Sequence, residues 1–138
     1  MEQYNDNPCS ELTYGNNCPH ITIQWKKGNI YISNAVFKLI GNPSGIRLQW
    51  NATKRILIIE ATDINDPNGF PLIGHLRAHK YICSVTLVHK IWATAEWNKT
   101  LCFKIMAKYN ERYNVAIFEM KDAFAAEIQK NIHDEKIY

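Results

Sequence analysis

Residues 21–62 read ITIQWKKGNIYISNAVFKLIGNPSGIRLQWNATKRILIIEAT and show the clearest structural pattern in the chain. Apolar and polar residues alternate over 21–25, 30–32 and 46–50, and a more apolar run follows over 55–61. A period of two is typical of strands that bury one face. We therefore expect four strands in this segment, arranged as two pairs.

A short helix is predicted between the two pairs. Ser33 is a favourable N-cap residue, and residues 34–40 place apolar side chains at helical spacing. Gly41 suits the left-handed conformation that ends many helices, and Pro43 cannot continue a helix. The segment is thus predicted to run strand, strand, short helix, hairpin.

The rest of the chain predicts an N-terminal arm and a second subdomain. Residues 1–20 are rich in Asn, Asp, Gly and Pro without any period, which indicates an irregular arm. Over 81–97 apolar residues recur every three or four positions, which predicts a long amphipathic helix. Alternation over 101–105 and again over 115–119, on both sides of a turn at 110–112, predicts that these two segments form a C-terminal β-hairpin. We therefore predict a single α+β domain over 21–138, with residues after 80 forming the helix-plus-hairpin subdomain.

The first of these segments resembles the AbrB-type swapped-hairpin modules of transition-state regulators and antitoxins. The resemblance is carried by GNIYIS at 28–33, the following short helix, the corner GNPSG at 41–45 and the closing hairpin over 46–59. In that family two chains interlace into one barrel, and basic residues on the exposed face bind DNA. The resemblance therefore implies a homodimer, or a higher oligomer, that binds DNA.

Positive charge is concentrated in the same part of the chain. The whole sequence has a net charge of +3, yet residues 21–60 contain one carboxylate, Glu60, among many basic residues. Basic turns with interspersed aromatic rings are typical of surfaces that contact phosphates and stack on bases. The alternative is that the turn residues are merely solvated and the rings belong to the core. The candidate anion-binding residues are Lys26, Lys27, Lys38, Arg47, Lys54 and Arg55, and the candidate stacking residues are Trp25, Tyr31 and Trp50.

The sequence predicts no catalytic residue, no metal site and no cofactor. Cys9, Cys18 and His20 do not match the spacing of a zinc site, and His75 and His79 are explained as polar side chains exposed to solvent. No nucleophile, phosphate-loop or metalloprotease motif is present, and the carboxylates are scattered. We therefore expect a binding protein and not an enzyme.

The expected compartment is the cytoplasm, without a membrane partner. No apolar run approaches the roughly 20 residues that span a bilayer, and the first 20 residues lack a signal-peptide pattern. In a reducing compartment the four cysteines are expected to be free thiols. The sequons beginning at Asn51 and Asn98 are then expected to form turns and to carry no glycan.

Two functions are consistent with these patterns. The layout of the whole chain is similar to that of small uncharacterised proteins of clostridial phages and conjugative elements, which suggests a mobile-element origin. The first function is a dimeric AbrB-like DNA-binding regulator. The alternative is a phage counter-defence protein that inhibits a host immune effector or sequesters a nucleotide signal. A structural or assembly factor also remains open. If the basic residues are ordinary solvated surface, the working face is expected in the C-terminal half, around His89, Trp92 and the hairpin at 100–120.

Overall fold

The structure is a computed structural model that describes residues 18–72 and 81–125. Within these residues the main secondary structure is two five-stranded antiparallel sheets. The strands are β1 (His20–Gln24), β2 (Asn29–Ile32), β3 (Gly45–Asn51), β4 (Ile56–Thr62), β5 (Phe70–Pro71), β6 (Tyr81–Cys83), β7 (Cys102–Met106), β8 (Lys108–Asn110), β9 (Val115–Glu119) and β10 (Phe124–Ala125). The helices are α1 (Asn34–Leu39), α2 (Val85–Ala95) and a 3-10 helix (Met120–Asp122).

The two sheets mix strands from both halves of the chain. Sheet A has the order β10-β7-β1-β2-β6, and sheet B has the order β5-β3-β4-β9-β8. Strand β1 pairs with β7 so that Ile21 lies opposite Ile105, and β4 pairs with β9 so that Leu57 lies opposite Phe118. Each N-terminal hairpin therefore finds neighbours on both sides within its own chain.

The predicted α+β fold is wrong, because the described residues are 43% strand and contain one helix of seven or more residues. The helix expected over 81–97 is shorter, since Tyr81–Cys83 pair with β2 and bury Ile82 in the core. Ser84 then caps α2 by accepting a hydrogen bond from the Leu87 N–H at 3.3 Å. At the other end Glu96 adopts a left-handed conformation and stops the helix. Strand pairing thus overrides the helical periodicity of the first residues.

The predicted swapped-hairpin-like module and C-terminal hairpin also need correction. The hairpins β1–β2 and β3–β4 form where the alternation predicts them, but they belong to different sheets and do not close one barrel with each other. Strand β7 pairs with β1 and β10, and the C-terminal hairpin is β8–β9 instead. Alternation identifies a half-buried strand but carries no information about its neighbour, which is why these pairings were missed.

The short helix α1 follows the prediction more closely. It covers Asn34–Leu39 and is followed by Gly41 at a φ of 93°, as the helix-ending pattern predicts. Ser33 occupies the N-cap position but makes no capping hydrogen bond. Its hydroxyl instead accepts the His20 N–H at 3.0 Å, so Ser33 joins α1 to β1.

One hydrophobic core joins both sheets and α2. Ile21 and Ile23 from sheet A, Leu57 and Ile59 from sheet B, and Ile91 from α2 belong to the same buried cluster. Burying one such side chain contributes about 1.5–3 kcal/mol, so the sheets are held together mainly by this core. The core also fixes α2 in place, which matters for the site.

Helix α2 lies across one end of the two sheets. At its start the Gly28 carbonyl in the β1–β2 turn accepts the Ser84 N–H at 2.9 Å. Near its end the carbonyl of Thr94 accepts a hydrogen bond from Arg55, in the β3–β4 turn, at 3.3 Å. A helix rises 1.5 Å per residue, so these two anchor points, ten residues apart, are separated by about 15 Å along its axis. The two turns therefore flank α2 at the same end of the molecule, which we call the α2 end.

Several expectations about the termini and cysteines can be compared with the described residues. The predicted arm over 1–20 lies outside them except for its last three residues. Residues 126–138 at the other end of the chain lie outside them as well. Cys18 is disulfide-bonded, so the expectation of four free thiols is wrong. That expectation rested on the compartment alone and ignored where the cysteines lie. Cys83 is an exposed free thiol.

Candidate nucleic-acid interface

Four of the six predicted cations are brought together at the α2 end. Lys26 and Lys27 are exposed in the β1–β2 turn, and Lys54 and Arg55 are exposed in the β3–β4 turn. Across the parts of the chain that the structure describes, no carboxylate forms an ion pair with any of them. Their charges are therefore not neutralised by any carboxylate of the described residues. We call these four residues the basic turns.

Local turn chemistry holds the basic turns in place. Gly28 has a φ of 60° and donates its N–H to the Trp25 carbonyl at 3.1 Å. The Asn51 side chain accepts the Lys54 N–H at 3.0 Å, and Arg55 takes a left-handed φ of 57°. Asn98 likewise accepts the Thr100 N–H, at 2.9 Å. The prediction that both sequons form turns is thus confirmed.

The other two predicted cations lie at the opposite end of the β3–β4 hairpin. Arg47 donates to Asp66 at 2.7 Å and forms a second ion pair with Glu60 at 3.4 Å. Lys38 is exposed on α1, which contacts the β8–β9 turn through a hydrogen bond from Asn114 to the Ile40 carbonyl at 3.2 Å. We call this region the Asp66 end. It contributes no cation to the basic turns.

Asp66 is the centre of a hydrogen-bonded network at its end of the molecule. Its carboxylate accepts the Thr62 hydroxyl at 2.7 Å, the Asn68 N–H at 2.9 Å and the Arg47 guanidinium. These hydrogen bonds, that of Thr62 first, lower the pKa of Asp66 from 3.8 to about 2. Arg47 therefore serves to hold the loop after β4.

A basic cleft of about 360 Å³ adjoins the β3–β4 turn. Lys54 and Arg55 line it, and Lys121 from the 3-10 helix completes it. The Met120 N–H donates to the Arg55 carbonyl at 3.0 Å, which brings the 3-10 helix to this turn. The cleft also contains Glu119, whose carboxylate lies 3.5 Å from the Lys121 ammonium. Lys121 was not among the predicted site residues.

A second cleft, of about 290 Å³, lies beside the β1–β2 turn and is walled by aromatic rings. Trp25 stacks on His89 of α2, with ring centroids 3.9 Å apart and an angle of 18° between the planes. The Lys99 ammonium lies 4.5 Å from the centroid of the Trp25 ring, a cation–π distance. We call this the aromatic cleft. Its lining residues are Trp25, His89, Trp92, Ala93, Glu96, Trp97 and Lys99.

Trp92 is the central ring of the aromatic cleft. It contacts Trp25 at 5.8 Å, Trp97 at 5.0 Å and Phe103 at 5.7 Å between centroids. Trp97 in turn stacks on Phe103 at 4.4 Å. These ring contacts hold in place the side chains that form the walls of the aromatic cleft.

The indole N–H of Trp92 has no hydrogen-bond partner among the described residues, although the side chain is only 2% exposed. A buried donor left unsatisfied costs about 1–3 kcal/mol, so such groups are rare in the absence of a ligand or water. The second unsatisfied buried group is the side-chain carbonyl of Asn29. Only Trp92 lines the cleft.

Of the predicted stacking residues, only Trp25 lines the aromatic cleft. Tyr31 alternates with the buried Ile30 and Ile32 and points to the other face of sheet A, where it contacts Tyr81 at 5.3 Å. Trp50 lies opposite Leu57 in sheet B and packs partly against the core. These two rings are therefore not part of the aromatic cleft.

The sequence indicated the remaining cleft residues only in part. The stripe that predicts α2 includes His89 and Trp92, but nothing local places them against a turn some 60 residues earlier. Trp97 and Lys99 follow the helix in a loop, where their residue types carry no periodic signal. The structure thus brings Trp25 of the basic segment into contact with His89 and Trp92, around which the alternative binding surface was predicted.

No metal-binding group is evident in the described part of the chain, where no three His, Cys, Asp or Glu side chains cluster suitably. His75 and His79 lie outside the described residues. None of the described helices has the length and apolar character that crossing a membrane requires.

No protein-family model matches the chain, and comparisons with curated proteins and with solved structures likewise found no match. The AbrB-type resemblance and the mobile-element origin therefore stay predictions.

Proposed function

We propose that the protein is a non-enzymatic nucleic-acid-binding protein that contacts phosphates through the basic turns. The observation that carries the proposal is the placement of four exposed cations, without carboxylate partners in the described residues, on both sides of α2. Cations clustered on one surface raise the local concentration of an anionic partner. A phosphate chain gains an attractive contact at each of them.

The biological role that follows is that of a DNA-binding regulator of a phage or mobile element, acting in the cytoplasm as a dimer. One edge of sheet A supports self-association, because β6 pairs only with β2 among the described strands. Tyr81 and Val85 beside that edge are 44% and 54% exposed. Exposed strand edges are common sites of pairing with a second chain. Light scattering at tens of micromolar checks this part, and a monomer there contradicts it.

The aromatic cleft supports a second candidate, the sequestration of a nucleotide signal. A cleft of about 290 Å³ lies at the small end of ligand sites, which suits a single base with its sugar. Stacked rings with a nearby ammonium bind planar anionic ligands of this kind. In this candidate the basic turns serve only to attract the ligand.

Salt dependence separates the two candidates. Binding of a labelled DNA oligonucleotide, followed by fluorescence anisotropy at several salt concentrations, should give a steep decline in affinity. Four phosphate contacts predict a slope of about −3 to −4 in log K against log salt. A free mononucleotide with one or two phosphates predicts a shallow slope. Absence of DNA binding at low salt overturns the first candidate.

A further inference from the structure

The aromatic cleft has ring surface available to a ligand at the α2 end. Trp25 and Trp97 are half-buried and His89 is exposed, although all three are aromatic. Ring contacts with Trp92 and Phe103 fix Trp25 and Trp97, and His89 stacks on Trp25, so a ligand meets a preformed wall. A flat ligand gains most from such a wall because stacking needs little rearrangement of the protein.

The indole N–H of Trp92 is buried within the same wall and has no acceptor in the described residues. Because this nitrogen is covered, a ligand in the cleft reaches it only if the neighbouring rings shift. The accessible ring surface and the charges around the cleft therefore select the ligand.

The charges around the cleft favour an anion attached to that flat group. Lys99 is held over the Trp25 ring at 4.5 Å, and Lys26 and Lys27 follow Trp25 directly in the chain. Among the described residues that line the cleft, Glu96 is the one carboxylate. A ligand with an aromatic base and a phosphate therefore matches both the ring surface and the excess of cations.

We propose that the aromatic cleft holds one unpaired nucleobase of a single-stranded nucleic acid while the basic turns hold its phosphates. The inference rests on the proposed function and adds the class of nucleic acid. In a duplex the base faces are stacked and the pairing edges are occupied, so neither reaches the aromatic cleft without unstacking. The protein thus prefers single strands to duplexes.

The test measures the affinity of the protein for four probes, each used with a fluorescein label for anisotropy and without a label for tryptophan fluorescence. They are a mixed-sequence single strand of about 12 nucleotides, the matching duplex, an abasic strand of the same length, and adenosine monophosphate. The abasic strand keeps every phosphate but has no base to stack. Intrinsic tryptophan fluorescence adds a direct readout, since three of the four tryptophans line the cleft and Trp50 does not.

A matched pair of variants isolates the cleft from the charges. Ala93→Leu adds bulk inside the cleft at an exposed helical position and leaves every cation in place. Thr86→Leu adds an equally bulky side chain on the same helix face two turns earlier, where Thr86 is exposed and outside the cleft lining. Circular dichroism confirms that both variants fold, and the abasic comparison on the unmodified protein needs no variant.

The expected result is that the single strand binds about tenfold more tightly than the duplex or the abasic strand, with quenching of tryptophan fluorescence. Ala93→Leu should remove this preference, and Thr86→Leu should keep it. Equal binding of all three polyanions overturns the inference and leaves the proposed function standing. Failure of every polyanion to bind overturns both. If adenosine monophosphate binds as tightly as the single strand and quenches the tryptophan fluorescence equally, the ligand is not a single strand. That outcome favours the nucleotide candidate.

Discussion

The α2 end and the Asp66 end both carry cations from the same basic segment, yet the protein uses them differently. At the Asp66 end Arg47 faces two carboxylates at 2.7 and 3.4 Å. At the α2 end Lys26, Lys27 and Lys54 face none among the described residues, and Arg55 contacts only a helix carbonyl. A cation that is matched by carboxylates stabilises the fold, while an unmatched cation remains available to an external anion.

This difference shows why a count of basic residues does not define a binding surface. All six predicted cations lie within 30 residues of one another in the sequence, and local patterns do not distinguish them. The partners of Arg47 come from β4 and from the loop after it. Because these carboxylates pair with Arg47, a residue predicted to contact phosphate forms ion pairs within the protein instead.

The largest expected effect is the loss of nucleic-acid binding when the basic turns are reversed. Replacing Lys26, Lys27, Lys54 and Arg55 together by Glu should weaken binding by at least about a hundredfold and flatten the salt slope. The fold should persist, since all four side chains are exposed. Anisotropy titrations measure the change, with circular dichroism as the folding check.

The matched control for that variant is Arg47→Gln, which removes a cation at the Asp66 end. Its binding should equal that of the unmodified protein because Arg47 is already paired. If the four-Glu variant folds and binds at full strength, the basic turns are ordinary solvated surface. If Arg47→Gln weakens binding as much, the two ends do not differ as described.

The next effect concerns stability, and it compares two glycines with positive φ. A Cβ added at Gly28 would lie 2.6 Å from Val85 Cγ2, whereas one added at Gly41 would meet nothing within 4 Å. Gly28→Ala should therefore lower the free energy of unfolding by about 2–4 kcal/mol through strain and overpacking. Gly41→Ala should cost only the conformational part, about 1–2 kcal/mol. Denaturant unfolding compares them, and equal losses contradict the tight contact between α2 and the β1–β2 turn.

The third effect is a pH dependence confined to the Asp66 end. The folded pKa of Asp66 is about 2 against an ordinary value of 3.8, so the group adds stability above the ordinary value. That stability is lost as the pH falls from about 3.8 towards 2. Asp66→Asn should therefore melt at a lower temperature than the unmodified protein near neutral pH, and the gap should narrow in acid. A gap that stays constant down to pH 2 rules out this account.

The smallest expected effect is a gain of affinity on removing the carboxylate that lines the aromatic cleft. Glu96→Gln should strengthen binding of a single strand about two- to threefold at low salt, with the gain shrinking as salt rises. Glu111→Gln changes the net charge equally but lies in the exposed β8–β9 turn, away from the α2 end. It should leave the affinity unchanged. If both variants gain affinity by a similar factor, the gain comes from the change in net charge and not from the position of Glu96.

Much of the N-terminal fold was predictable because its signals are local. The turn at Gly28, the helix ended by Gly41 and the two hairpins each depend on a few neighbouring residues, and all of them appear in the structure. The C-terminal half was predicted less well. There the sequence of Tyr81–Cys83 continues the apolar periodicity of α2. In the structure these residues form a strand whose backbone pairs with β2.

The candidate site shows the same division. The basic turns and Trp25 were predictable, since a strand alternation followed by Lys-Lys-Gly indicates an exposed basic turn. The aromatic cleft was not, because Trp25 meets His89 and Lys99 only after β1 pairs with β7 and α2 docks on the core. Lys121 shares the basic cleft with Arg55 because of a comparable long-range contact, the hydrogen bond from the Met120 N–H to the Arg55 carbonyl.

The sequence by itself determined the half-buried strands, the short helix, the turns and the cations that those turns carry, because each follows from backbone preferences within a few residues. The tertiary structure alone decided which strands became neighbours, which cations met carboxylates and which rings came to share a cleft. The physical reason is that alternation and periodicity specify a buried face but not its partner. Partners are chosen by the packing and hydrogen bonding of segments that lie far apart in the chain.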